Sequence, residues 1–145
     1  MPTHIRTAQV ADFPAIHALL REFSVFQKTP EKMHITLEEM IGQQDIFRCL
    51  VAEEGETIVG FATFFFSYYS WTGKALYLDD LYVQPAFRGQ GAGRLLLEAV
   101  IGLARDARCT KVRWQVSKWN EPAIALYRKI GASIDDTEMN CDLLL

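Results

Sequence analysis

The chain lacks any Cys-x-x-Cys pair. Its three cysteines, Cys49, Cys109 and Cys141, are too few and too widely spaced for a disulfide framework or a zinc site. They read as reduced thiols, which fits a cytoplasmic protein. The three histidines, His4, His17 and His34, show no mutual spacing that suits a metal, so no metal is expected. The longest apolar-rich run, residues 58–69, falls well short of the ~20 residues a membrane span needs. Residues 1–9 have no signal-peptide core, so no membrane partner is expected. With a net charge of −3 the chain also lacks the basic excess of a nucleic-acid surface. No Gly-Lys-Ser/Thr is present at its glycine-rich segment, which excludes a P-loop. No G-x-G-x-x-G follows its first strand, which excludes a dinucleotide fingerprint.

What is present is a chain of 145 residues, half of them apolar. That length and composition fit a single domain, residues 1–145, around one core. A first strand is expected at 4–8. Asp12 as N-cap and Pro14 early in the helix open a segment running to about residue 26, with Ile16, Leu19, Leu20 and Phe23 at helical spacing. Residues 28–30 break it. Thr36 and Glu39 form a capping box for a short helix at 37–44. Strands follow at 47–53, 57–69 and 75–83, joined by turns at 54–56 and 70–74. A helix at 91–107 turns Leu95, Leu96, Ala99, Val100 and Leu103 inward. A strand is expected at 111–117 and a helix at 121–130, with Pro122 in its first turn and Gly131 past its end. A last strand spans 139–145. The order β-α-α-β-β-β-α-β-α-β predicts an α/β (mixed α+β) protein: a mixed, mostly antiparallel sheet with helices on both faces.

Between strand and helix stands Arg88-Gly89-Gln90-Gly91-Ala92-Gly93. Such a loop bares a row of backbone N–H groups beside a positive helix end, which suits a phosphate-bearing ligand. By itself it reads equally as a plain loop. The segment resembles the Q/R-x-x-G-x-G/A signature of the GNAT family of N-acetyltransferases. The likeness is nearest to the diamine branch, the spermidine/spermine and thialysine acetyltransferases. It is carried by Trp71-x-Gly73-Lys74, by Leu76-Tyr77-Leu78-Asp79-Asp80-Leu81-Tyr82-Val83, and by Trp119-Asn120-Glu121-Pro122 with Leu126-Tyr127 and Gly131-Ala132.

The resemblance implies a sheet splayed between its central strands and acetyl-CoA as donor. It places the pyrophosphate on the N–H groups of Arg88, Gly89, Gln90, Gly91, Ala92, Gly93 and Arg94. The pantetheine arm pairs with the strand edge at Leu81, Tyr82 and Val83, and further donor contacts fall at Asn120, Pro122, Ala123 and Lys129. Tyr127 corresponds to the acid that protonates the departing thiolate, although a tyrosine on an amphipathic helix also reads as a core or rim residue. Asp79 stands where the branch has a glutamate base, one methylene shorter. Asp80 is a substrate or structural contact; strand alternation puts the two carboxylates on opposite faces. The acceptor site would draw on Phe26, Gln27, Trp71, Asp79, Asp80 and Trp119. Gln27 and Ser70 stand where polyamine enzymes have acids, which favours a smaller amine: a thialysine- or lysine-like amino acid, or a short diamine. The alternatives are a protein lysine or N-terminal acetyltransferase, or a CoA-binding module without catalysis. A homodimer paired through the strand at 139–145 is also expected.

Overall fold

The structure, a computed structural model, describes residues 2–145. Two compact units emerge, one ending at Trp114 and the other comprising Gln115–Leu145.

The first unit is built on a five-stranded sheet in the order β1-β2-β3-β4-β5: β1 (Thr3–Thr7), β2 (Arg48–Glu54), β3 (Thr57–Tyr69), β4 (Gly73–Val83) and β5 (Val112–Arg113). The first four strands are antiparallel and β5 runs parallel to β4. Gly55, with φ 62°, makes the tight β2–β3 turn. Gly60 is required for another reason: a Cβ there would sit 2.7 Å from the Tyr82 carbonyl oxygen, so β3 and β4 approach too closely for a side chain.

Alternation along the strands sorts the core into two layers. Cys49, Val51, Phe61 and Tyr82 pack on one face against Phe13, Ile16 and Leu19 of α1 (Phe13–Phe26) and Met40 of α2 (Leu37–Gly42). The intervening Leu50, Ala52, Ala62 and Val83 are buried on the other face. There α3 (Ala92–Asp106) lies close enough that a Cβ at Gly93 would be 3.7 Å from a Val83 methyl. The expected helix layer on each face is therefore present, and the Thr36–Glu39 capping box of α2 forms in both directions.

Four local expectations are corrected. The inward face of α3 is Ala92, Leu96, Leu97, Val100 and Ala104; Leu95 is exposed. A ridge of i, i+4 residues beginning and ending in alanine lets the helix settle closely on the sheet, and tertiary packing sets the phase. Asp12 does not cap α1 with its side chain. Its carboxylate takes two 2.8 Å bonds from Arg6, whose Nε also bonds Glu53 at 3.1 Å. The strand expected at 111–117 is reduced to Val112–Arg113. Residues 139–145 form no strand, and Met139, Leu143, Leu144 and Leu145 are exposed, so the strand-mediated dimer has no strand to use.

In the second unit the side-chain oxygen of Asn120 accepts from Ala123 N–H and caps α4 (Glu121–Lys129). Pro122 lies in the first turn, and Gly131, with φ 97°, lies just past the end as expected. No helix among the described residues is long and apolar enough to cross a membrane.

Candidate active site

The site is organised by an irregularity in β4. Thr63 is registered with Asp80 and Phe64 with Leu78, leaving Asp79 as an extra residue in the ladder, a β-bulge. On the other side of β4, pairing with β5 stops at Tyr77–Arg113. From Leu78 to Val83, β4 therefore has β3 on one side and, among the described residues, no strand on the other. An edge of this kind offers unpaired main-chain groups to an extended ligand. Asp79 sits at the head of that edge, two residues past the last β4–β5 pair.

The bulge also revises the expectation that Asp79 and Asp80 face opposite ways, because simple alternation holds only in a regular strand. Asp80 lies on the α1 face, where its carboxylate accepts a 2.6 Å bond from Thr63 Oγ1. Burial pushes Asp80 up to about 6; the Asp79 charge adds to this and the Thr63 bond opposes it. Asp79 is more exposed, yet partial desolvation still raises it above the ordinary aspartate value. Two carboxylates of raised basicity thus adjoin on one strand.

Beyond Val83, a single turn of 3-10 helix at Pro85–Phe87 leads into the loop at residues 88–93. Gly89 and Gly91 have φ of 80° and 88°, a region costly for any residue with a Cβ. A Cβ at either position would meet nothing within 4 Å, so conformation and not crowding demands glycine. No side chain caps α3. Its first N–H groups, at Ala92, Gly93 and Arg94, have no partner within the helix and face the concentrated positive end of the dipole.

Arg88 does not extend its side chain as a free phosphate ligand. Its Nε donates 2.9 Å to Val83 O, and its guanidinium lies 4.7 Å from the Phe26 ring centroid and 5.5 Å from that of Tyr82. Arg94 pairs with Glu98 one turn along α3, at 3.0 Å on the surface. The Tyr82 hydroxyl donates to Glu22 of α1, and the Gln84 amide donates to the same carboxylate at 3.4 Å. Burial first, then the Glu22 bond, pushes the Tyr82 phenol up to about 12. The start of the loop is thereby tied to α1 through Glu22, Tyr82, Phe26 and Arg88. Glu22 escaped the sequence reading, since a lone acid on the exposed face of a helix carries no signal until its strand partner is known.

Of the acceptor residues named from sequence, Phe26 is drawn to Arg88 and Tyr82, and Gln27 follows as the C-terminal cap of α1. Trp71 is not brought to the acids. It is 97% exposed in the β3–β4 turn, beyond Gly73 and so about 20 Å along the strand from Asp79. In the second unit Tyr127 is half-buried and its phenol is raised by that burial. Trp119 and Lys129 are exposed, and the Asn120 oxygen is committed to the α4 cap. No group of three or more His, Cys, Asp or Glu residues among the described residues is placed to hold a metal ion.

A model of the acetyltransferase (GNAT) family matches residues 13–132. The chain belongs to that family. It is 35% identical over 142 residues to the mouse thialysine N-epsilon-acetyltransferase, covering 90% of this chain and 84% of that one. It is 34% identical over 139 residues to the human spermidine/spermine N(1)-acetyltransferase-like protein 1, covering 88% of this chain and 20% of that protein. Among solved structures it resembles an aminoglycoside acetyltransferase from an uncultured soil sample, with a TM-score of 0.80 and 21% identity over 99% of this chain and 96% of that one. GNAT enzymes use acetyl-CoA as co-substrate. The start of α3 has no side-chain cap, and open space surrounds the Cβ positions of the positive-φ glycines before it, which suits the pyrophosphate of such a donor.

Proposed function

We propose that this GNAT acetyltransferase moves an acetyl group from acetyl-CoA to the primary amine of a small molecule, by direct attack in a ternary complex. The observation that carries the reading is the placement of Asp79: on a bulge, with raised basicity, at the head of the unpaired β4 edge that leads into the phosphate loop. In this reading the N–H groups of residues 89–94 hold the pyrophosphate, that of Arg88 being spent on Pro85 O, and Leu81, Tyr82 and Val83 offer their main chain to the pantetheine arm. An alkyl ammonium has a pKa near ~10.4 and must lose a proton before it attacks. Asp79 removes that proton, through water, as the new N–C bond forms. As the C–S bond breaks, Tyr127 supplies a proton to the sulfur; its raised phenol stays protonated until then. Asp80, Phe26 and Gln27 serve the acceptor, and Asn120, Pro122, Ala123 and Lys129 the donor.

The names of relatives support a small amine: thialysine, spermidine/spermine and, in Arabidopsis thaliana, L-ornithine. Gln27 and Ser70 are uncharged, which disfavours a long polycation. We read both units as one catalytic domain, because the family match spans both. A cytoplasmic homodimer completes the reading. Its support is three free thiols and the exposed Met139, Leu143 and Leu144, and light scattering tests it.

The decisive assay follows thiol release from acetyl-CoA across a panel of amines. Tyr127→Phe is expected to lower kcat by ~10²-fold or more while acetyl-CoA binding persists. Unchanged turnover would remove Tyr127 as the acid.

A further inference from the structure

Past the acid pair, the α1 face of the sheet continues toward the β3–β4 turn as an aromatic bed. Phe65 and Tyr77 are registered partners whose rings stack 5.0 Å apart at an interplanar angle of 16°. Tyr69 follows on the same face of β3, since residues 65, 67 and 69 alternate together. Opposite them β4 presents only Ala75 and Gly73, paired with Ser67 and Tyr69, so the bed is low along its middle strand.

Across that low strand reach two cations from the β5 side. Lys111 Nζ lies 4.4 Å and Arg113 Cζ 4.7 Å from the Tyr69 ring centroid. Arg113 is registered with Tyr77. Among the described residues neither cation is ion-paired. Like charges converging on one ring repel each other, and an exposed cation–π contact returns little to offset it. An anion between them would relieve that repulsion. At the other end Asp79 lies two residues, about 7 Å, beyond Tyr77 along the strand. The Tyr77 hydroxyl falls within charge range of both Asp79 and Arg113. One face therefore carries a negative end, a flat apolar middle and a positive end.

We propose that this face binds an amino acid by both ends. Lys111 and Arg113 hold its α-carboxylate, the Phe65–Tyr77 stack carries its aliphatic arm, and the distal amine reaches Asp79. Arg113 is registered with Tyr77, about 7 Å along the strand from Asp79, which is the scale of a lysine- or ornithine-like arm. The planar fork of Arg113 matches a carboxylate bidentately, with Lys111 as a second charge. A diamine would instead bring an ammonium against two cations. The inference rests on the acetyl-transfer reading above and narrows its acceptor to amines that carry a carboxylate.

The test compares matched pairs differing only in that carboxylate: lysine with 1,5-diaminopentane, and ornithine with 1,4-diaminobutane. The native enzyme is expected to favour the amino acid in each pair. Arg113→Gln should raise the amino-acid KM by ~10-fold or more with kcat nearly unchanged, and leave the diamine KM where it was. Arg113→Lys should recover part of the loss, and Arg113→Glu should reverse the preference. Acetyl-CoA affinity, measured by calorimetry, should be equal in all variants, which reports an intact fold. Equal losses for both members of a pair, or no change for either, overturn the carboxylate site. Turnover of diamines that is indifferent to Arg113, with amino-acid turnover equally indifferent, sinks this inference and leaves acetyl transfer standing. Absence of turnover with every amine, while acetyl-CoA still binds, sinks both.

Discussion

Asp80 accepts a hydrogen bond from Thr63, whereas none of the described residues donates to Asp79, and this divides the labour between them. Asp79 is the freer carboxylate, and the proposed reaction gives it the role of base. Asp79→Asn is expected to lower kcat by ~10²-fold or more with acetyl-CoA binding retained, and the acidic limb of the native pH–rate profile should disappear with it. A residual profile identical to the native one would move the base elsewhere. Asp80 has a consequence for stability. Its carboxyl rises from an ordinary value of 3.8 to about 6 on folding, burial being the main cause. Between those values the folded chain holds more protons than the unfolded one, so this group makes stability fall as pH rises through that window. Asp80→Asn keeps an acceptor for Thr63 and removes the buried charge. It should stabilise the protein by about 1–2 kcal/mol at pH 7.5, with the gain fading by pH 4. Denaturant melts at the two pH values decide it, and an equal gain at both would contradict burial of the charge as the cause.

The phosphate loop depends on elements distant in sequence. Arg88 opens the loop but directs its side chain onto Val83 O, Phe26 and Tyr82. In the proposed donor site it therefore positions the loop and leaves the donor's charge to other groups. Arg88→Met should weaken acetyl-CoA binding by ~3–10-fold, and by the same factor at low and at moderate salt, because no ligand charge contact is removed. A loss that shrinks as salt rises would mean that the guanidinium touches phosphate. This arrangement also marks the limit of what the sequence revealed. Local signals were legible: Gly55 in its hairpin, Thr36 with Glu39, Pro122 and Gly131 around α4, and the loop itself. Features created by pairing between distant segments were not. The bulge at Asp79 exists only in register with Thr63 and Phe64. Asp12 was drawn from its cap by Arg6, and the phase of α3 was set by the sheet beneath it. Strands were expected at residues 111–117 and 139–145, yet only Val112–Arg113 found a partner.

At the scale of the whole molecule, ligand binding and folding are linked, since a donor that binds only the folded chain adds RT ln(1 + [L]/Kd) to its stability. Acetyl-CoA at a hundred times its Kd should contribute about 2.7 kcal/mol. For a chain of this length that is a rise of roughly 5–10 °C in Tm, followed by circular dichroism. Gly91 separates the loop's geometry from its packing. With φ 88° and nothing within 4 Å of its Cβ position, Gly91→Ala imposes a backbone penalty and no clash. That penalty, about 1–2 kcal/mol, should lower the Tm of the unliganded protein by a few degrees if the loop holds its shape. If the loop instead relaxes toward negative φ, the unliganded Tm is spared, but the N–H groups before α3 lose their common direction and the shift with acetyl-CoA shrinks. Only a smaller shift with acetyl-CoA ties the left-handed turn at Gly91 to the proposed donor site; a lower unliganded Tm reports the strain of the turn alone. A variant that matches the native chain in both unliganded Tm and ligand shift would show that the turn is dispensable, and would remove the loop geometry as the basis for donor binding.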